Sequence, residues 1–302
     1  MTKLFRVARP QFLISGLALF AFGVSWAVLL GAPFSLSRIL LGYLVLLPAH
    51  LSISYSNDFF DVDVDKYDKP TFFSGGSGVL VDHPGLRNPA KWTALTLILC
   101  SLALAIVFQI VYSFPIWFLG FVVLGNLIGW FYSAPPLRLA YRGLGELSMT
   151  FSIGLLIPGY GYLVTSGQMN QDGLLFIVPL MLYGLAFILS VEIPDMESDR
   201  LGNKRTWVAR KGRGFGFTVI AASFLLATLY FLCFPWLTSR IYPLDFRFLG
   251  ILSLVPLAAG TIGLLKRPME KRSATRVVNG IVITIAAFCL MVDAYLLYLI
   301  LR

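Results

Sequence analysis

Two short stretches of this 302-residue sequence concentrate side chains able to do chemistry. The first reads Ser56-Asn57-Asp58-Phe59-Phe60-Asp61-Val62-Asp63-Val64-Asp65-Lys66-Tyr67-Asp68, and the second reads Glu192-Ile193-Pro194-Asp195-Met196-Glu197-Ser198-Asp199-Arg200. Each follows directly on a long apolar run. If the helix of the first run continues through its acidic stretch, Asn57, Asp58, Asp61 and Asp65 fall within an arc of about 100°. Asp63 then points to the opposite side. In the second stretch Glu192, Asp195 and Asp199 share an arc of about 60°, while Glu197 does not; Pro194 would bend that helix. Two carboxylate stripes at one membrane face repel each other unless a cation lies between them. Oxygen-only ligands suit Mg²⁺, which keeps waters and bridges carboxylates to phosphates. The pattern therefore predicts a site that holds Mg²⁺ and, through it, a diphosphate. A solvated acidic loop is the plain alternative, and it does not need the helical spacing. Arg138, Lys204 and Arg205 could contact the diphosphate oxygens that metal leaves uncovered, or serve only as topology charges.

The elements that must position these residues are membrane helices. Hydrophobic residues make up 58% of the chain and charged residues 13%, with a mean hydropathy of +0.80. Soluble domains carry about 25% charged residues, so an ordinary soluble enzyme is excluded, and so is a disordered chain. Nine apolar spans are expected, at 11–31, 36–56, 91–112, 115–133, 146–165, 172–192, 214–236, 247–265 and 277–300. Each is close to the ~20 residues that cross a bilayer core. Of the 24 Lys and Arg residues, all but Arg38, Arg240, Arg247 and Arg302 lie at the N-terminus or in the loops after the second, fourth, sixth and eighth spans. Positive charge stays inside, which places the N-terminus and both acidic stretches on the cytoplasmic side. The net charge of +9 reads as this loop topology rather than as nucleic-acid binding. Cys100, Cys233 and Cys289 all sit inside apolar runs and form no CxxC motif.

Taken together, the motifs resemble the UbiA superfamily of intramembrane prenyltransferases. Asn57-Asp58-x-x-Asp61-x-x-x-Asp65 is similar to the family's first motif, Asp195-x-x-x-Asp199 to its second, and Tyr132-Ser-Ala-Pro-Pro-Leu-Arg138 to the segment between them. The resemblance implies an all-α integral membrane fold, nine helices bundled around a central cavity, forming one domain over residues 1–302. It implies Mg²⁺-dependent transfer of an isoprenoid from a polyprenyl diphosphate to an aromatic or lipid acceptor. Asn57, Asp58, Asp61, Asp65, Asp195 and Asp199 carry over as metal ligands, with Asp61 and Asp195 central to catalysis. Arg138, Lys204 and Arg205 carry over as diphosphate contacts. Arg9-Pro10, the Ser74–Leu80 loop, Arg142–Glu146 and Gly202–Thr206 look like the 1,4-dihydroxy-2-naphthoate branch, which serves quinone biosynthesis. Val191-Glu192, where that branch often has Asn-Asn, and Gly78 after Gly-Gly-Ser depart from it. Geranylgeranylglyceryl phosphate, 4-hydroxybenzoate, a carotenoid or a tetrapyrrole remain alternative acceptors.

Other residues enter through the chemistry of such a transfer. An allylic cation develops as the C1–O bond loosens, and it needs a dry cavity and aromatic faces; Tyr132 and Tyr160 are candidates, against ordinary packing roles. His50 lies on the Asn57 stripe, about 10 Å deeper; it reads either as an acceptor contact or as a core histidine. Ser77, within Gly75–Gly78, belongs to a loop whose N–H groups could meet an anion or simply turn. Asn126, Gln109 and Asp293 are further intramembrane polar residues. A membrane cation transporter is the competing class, but transporters place acidic sites near mid-membrane on broken helices. The expected location is the plasma membrane, among its lipids, with the site facing the cytoplasm.

Overall fold

A computed structural model describes residues 2–67 and 69–302; Asp68, the last residue of the first acidic stretch, lies outside them. The described residues are helical, with no strand. In chain order the main helices are α1 (Pro10–Leu29), α2 (Leu36–Asp65), α3 (Arg87–Val111), α4 (Trp117–Phe131), α5 (Gly145–Ser166), α6 (Ile177–Leu201), α7 (Arg213–Leu237), α8 (Phe246–Lys266) and α9 (Lys271–Leu301).

Among the described residues eight helices are long and apolar enough to cross a membrane. The remaining expected span, 115–133, fourth along the chain, forms α4, whose 15 residues rise only about 22 Å against roughly 30 Å of hydrocarbon. Its start is delayed by the Ser113–Ile116 turn, where Ser113 has a positive φ of 53°. Conversely, α2 and α6 run further than their apolar spans, and each carries its acidic stretch as a continuation of one helix. Pro48 in α2 and Pro194 in α6 sit inside the helices without ending them. Within α5 a π-helical stretch, Ser152–Leu156, interrupts the regular turns.

The contacts gather into two compact units. The first comprises Met1–Leu17, Ser35–Ser148 and Glu197–Thr206. Its centre is α2 packed on α3, with Tyr55, Val79, Leu80, Ala90 and Ala94 in one apolar cluster. A short polar chain ties three of its helices: Ser101 donates to the Val45 carbonyl at 2.9 Å, and Asn126 donates to Ser101 at 3.3 Å. Such bonds between helices hold where lipid offers no hydrophobic drive for association. The second unit comprises Ala18–Phe34, Met149–Met196 and Trp207–Arg302. Its core is aromatic, with Tyr183 stacked on Phe288 at 4.5 Å and Phe234 tilted against Phe246 at 4.2 Å. Buried Arg213 ties α6 to the segment before α9, donating to the carbonyls of Ile193 (3.0 Å) and Met269 (2.7 Å).

Candidate active site

The first unit brings α2, the 132–144 loop and the segment after α6 together around Asp61. Asp61 is 5% exposed. Its Oδ2 accepts from Lys204 Nζ at 2.9 Å and from Ser133 Oγ at 3.1 Å, and its Oδ1 accepts from Tyr141 OH at 2.8 Å. One turn earlier, buried Asp58 accepts from the Ser77 backbone N–H and from its hydroxyl. Asp199, also buried, accepts from Thr206 Oγ1 at 3.0 Å. Asp63 and Glu197 are exposed, as helical phase predicts, and Asp63 pairs with Lys66 at 3.2 Å.

Local sequence explains how Lys204 reaches Asp61. After α6 the chain turns back through Asn203, whose φ of 56° lies in the left-handed region that Asn tolerates. The Lys204 N–H then closes on the Asp199 carbonyl at 2.8 Å. Gly202 is required at this bend, because a Cβ there would overlap Val64 of α2. The same reasoning applies to Gly76, whose Cβ would fall on the Asp65 carboxylate. The glycine loop therefore lies directly against the acidic stripe. Its Ser77 N–H, expected to be available to an anion, is taken by the protein's own Asp58.

The charge is unbalanced. Asp58, Asp61, Asp65 and Asp199 interact with one another, and fully buried Glu146 lies within electrostatic reach of Asp199. Lys204 and Arg9 answer them. Burial by itself would push the Lys204 ammonium down, but Asp61 and Asp199 reverse this and hold its pKa well above the ordinary value. Burial, then Asp61, pushes the Tyr141 phenol upward, so it stays a donor. Carboxylates remain in excess, and Asn57 Oδ1 is buried with no hydrogen-bond partner among the described residues. An orphaned oxygen beside surplus carboxylates is the donor chemistry of a hard divalent cation. No group of three or more His, Cys, Asp or Glu among the described residues is gathered closely enough to hold a metal alone.

Among the remaining candidates, Tyr132 ends α4 within electrostatic reach of Lys204. Arg138 stacks on the Tyr141 ring at 3.8 Å, with its Nε buried and without a hydrogen bond. Arg205 is exposed and forms no hydrogen bond or ion pair among the described residues. His50 lies against Gly16, where a Cβ would overlap its ring. In the second unit, Asp195 is half-buried on α6 and Tyr160 is buried beside Phe20, with ring centroids 6.0 Å apart. Tyr141 was not expected from sequence. Arg9, Ser133, Glu146 and Thr206 were noted there only as parts of family patterns.

Comparison with known proteins settles the lineage. The profile of the UbiA prenyltransferase family matches residues 16–281. This chain belongs to the UbiA prenyltransferase family. It is 29% identical over 209 residues to the 1,4-dihydroxy-2-naphthoate octaprenyltransferase of Bacillus subtilis (strain 168). That match covers 67% of this chain and 66% of the relative, just under two thirds of the relative's length. The fold is similar to that of a UbiA homolog from Archaeoglobus fulgidus bound to GPP and Mg²⁺, with a TM-score of 0.64, 18% identity, and 99% and 100% of the two chains covered. It is also similar to the apo structure of a UbiA homolog from Aeropyrum pernix K1, with a TM-score of 0.62, 17% identity, and 91% and 97% covered. Family membership and the eight long apolar helices make this UbiA protein a multi-pass integral membrane protein.

Proposed function

We propose that this UbiA-family protein transfers a polyprenyl group from a polyprenyl diphosphate to an aromatic acceptor of the 1,4-dihydroxy-2-naphthoate type, in quinone biosynthesis. The observation that carries the reading is the surplus of buried carboxylate around Asp61, with the orphaned Asn57 oxygen at its edge. The named Bacillus relative supports the choice of acceptor, and the GPP- and Mg²⁺-bound Archaeoglobus structure supports the choice of donor and metal. The whole chain, 1–302, acts as one functional domain in the plasma membrane, with its N-terminus and active site toward the cytoplasm.

In this reading Asn57, Asp58, Asp61, Asp65, Asp195 and Asp199 would hold Mg²⁺. When bound, the metal neutralises the diphosphate and makes it a better leaving group. The chain's own residues do the rest. Lys204 is a fixed cation whose Nζ can turn from Asp61 to a phosphate oxygen. Arg138, stacked on Tyr141, presents a guanidinium whose Nε has no protein partner and which suits a phosphate. Arg205, exposed on the same segment, meets the outer diphosphate oxygens. Tyr141 and Ser133 keep Asp61 oriented, and the Ser77 loop does the same for Asp58. Tyr132 and Tyr160 supply ring faces for the allylic cation as the C1–O bond loosens. The electron-rich acceptor ring attacks C1, the diphosphate leaves with the C1–O electron pair, and the attacked ring carbon then sheds its proton, or its carboxyl group as CO2, to restore aromaticity, with His50 placed to contact the acceptor. Apolar helices exclude the water that would quench the cation.

The test is to incubate purified membranes with Mg²⁺, labelled prenyl diphosphates and a panel of acceptors, and to identify products by mass. Prenylated dihydroxynaphthoate, or the prenylated dihydroxynaphthalene left when CO2 is expelled, is the expected product. A product on another acceptor would overturn the acceptor choice, and no metal-dependent product on any acceptor would overturn the reaction.

A further inference from the structure

In the first unit, the start of α3 carries two cations without a counter-charge. Arg87 and Lys91 are four residues apart, so they lie on one face of the helix. Both sit over the ring of Phe59 on α2: the Arg87 guanidinium carbon is 5.2 Å from the ring centroid and Lys91 Nζ is 5.7 Å from it. Lys91 Nζ is also 5.8 Å from the ring of Trp92, which is 64% exposed. Phe59 meets Phe60 edge-on at 4.8 Å, and Phe60 meets Trp130 edge-on at 5.3 Å, so the ring beneath the two cations is braced. Neither cation forms a hydrogen bond or an ion pair among the described residues. Like charges at this spacing repel, and the first turns of a helix disfavour positive charge. An anion held by the pair offsets both costs.

Position in the membrane selects the anion. From Trp92 to Val111, α3 carries no charged residue, and this stretch rises about 30 Å, the thickness of the hydrocarbon core. Arg87 and Lys91 therefore lie at headgroup level, with Trp92 at the boundary where such rings collect. Beyond Trp92 the helix exposes Thr96, Leu99, Ala103, Ile106 and Ile110, a single stripe at helical spacing. A ligand matching this face has a negative charge at one end and apolar chains at the other. On α2, Phe59 points about 130° away from the middle of the Asp58–Asp61–Asp65 stripe, so the patch is separate from the carboxylate cluster. We propose that Arg87, Lys91 and Trp92 bind the phosphodiester headgroup of an anionic membrane phospholipid, whose acyl chains lie along the exposed stripe of α3. The Arg87 fork meets two phosphate oxygens and Lys91 adds a point charge. A zwitterionic headgroup would bring its own ammonium beside the two cations and is disfavoured.

The test is native mass spectrometry of the purified, delipidated chain in neutral detergent, titrated with phosphatidylglycerol or with phosphatidylcholine. Each cation near the membrane surface is worth about fivefold in affinity for an anionic lipid. Wild type should therefore bind its first phosphatidylglycerol on the order of tenfold more tightly than phosphatidylcholine. Arg87→Gln/Lys91→Gln should lose this preference. Lys266→Gln/Arg272→Gln, which removes two exposed cations elsewhere, should keep it. Inorganic phosphate should leave the lipid bound; displacement would show that the patch takes a bare anion and would overturn the lipid assignment. A second measurement keeps the test sound if the Arg87/Lys91 variant proves unstable. Brominated phosphatidylglycerol should quench wild-type tryptophan fluorescence more than brominated phosphatidylcholine does, and Trp92→Phe should erase that difference. Equal affinity of wild type for the two lipids, an undiminished preference in Arg87→Gln/Lys91→Gln, equal loss in both double variants, or an unchanged quenching difference in Trp92→Phe would each overturn the proposal.

Discussion

Replacing Lys204 by Met tests the electrostatic logic of the site without relying on turnover. In the structure Lys204 Nζ is 2.9 Å from Asp61 Oδ2, and the two side chains are 15% and 7% exposed. Removing one partner of a buried pair costs about 3–5 kcal/mol, because the remaining charge is left uncompensated. Asp61 would keep its bonds from Ser133 and Tyr141, so the lower end, about 3 kcal/mol, is the expected loss. A divalent cation at the cluster restores the missing counter-charge. At one hundred times its dissociation constant, a ligand adds about 2.7 kcal/mol to the folded state, close to what the substitution removes. In wild type the cation competes with the Lys204 ammonium for Asp61, so its binding and its stabilisation are weaker. Thermal unfolding in detergent, with and without Mg²⁺, reads both quantities. Lys204→Met should melt well below wild type without Mg²⁺ and recover most of the gap when Mg²⁺ is added, with a larger metal-induced shift than wild type shows. Equal melting and equal metal shifts in the two proteins would refute the claim that Lys204 and the metal neutralise the same carboxylates.

Three further outcomes follow from the same geometry. Asp61→Ala should lower turnover by ~10³-fold or more, while exposed Asp63→Ala changes it by less than about tenfold; equal losses in folded protein would sink the stripe argument. Gly76→Ala should cost both stability and activity, because its Cβ falls on the Asp65 carboxylate, whereas Gly85→Ala, with open space around it, should be silent in both assays. A reporter fused after Arg302 should be external and one inserted near Asn88 internal, given the Lys and Arg distribution; finding both on one side would contradict the assumed orientation.

The continuation of α2 and α6 through their acidic stretches was legible in the sequence, because carboxylates at helical spacing carry a phase. The burial of Asp61 and Asp199 against the exposure of Asp63 and Glu197 follows from that phase alone. The hydrogen bonds of Ser133 and Tyr141 to Asp61, and of Thr206 to Asp199, were not legible. A single hydroxyl has no periodic signature, and what selects these three is the backbone path of the loops after α4 and α6. That path depends on left-handed residues such as Arg138 and Asn203, whose conformation no spacing rule announces. The apolar run at 115–133 overstated α4, because hydropathy does not register where the turn at Ser113 lets the helix begin. The role of Gly76 was invisible for the same reason: a flexible turn and a surface pressed against a carboxylate look alike in one dimension.

The central claim is that the carboxylate cluster binds a prenyl diphosphate through Mg²⁺. Calorimetric titration of purified protein with an unreactive prenyl thiodiphosphate measures this directly. Binding should require Mg²⁺, disappear on chelation and be lost in Asp61→Ala, while Asp63→Ala binds as wild type does. Undiminished binding without divalent cation, or wild-type affinity in Asp61→Ala, would contradict the account.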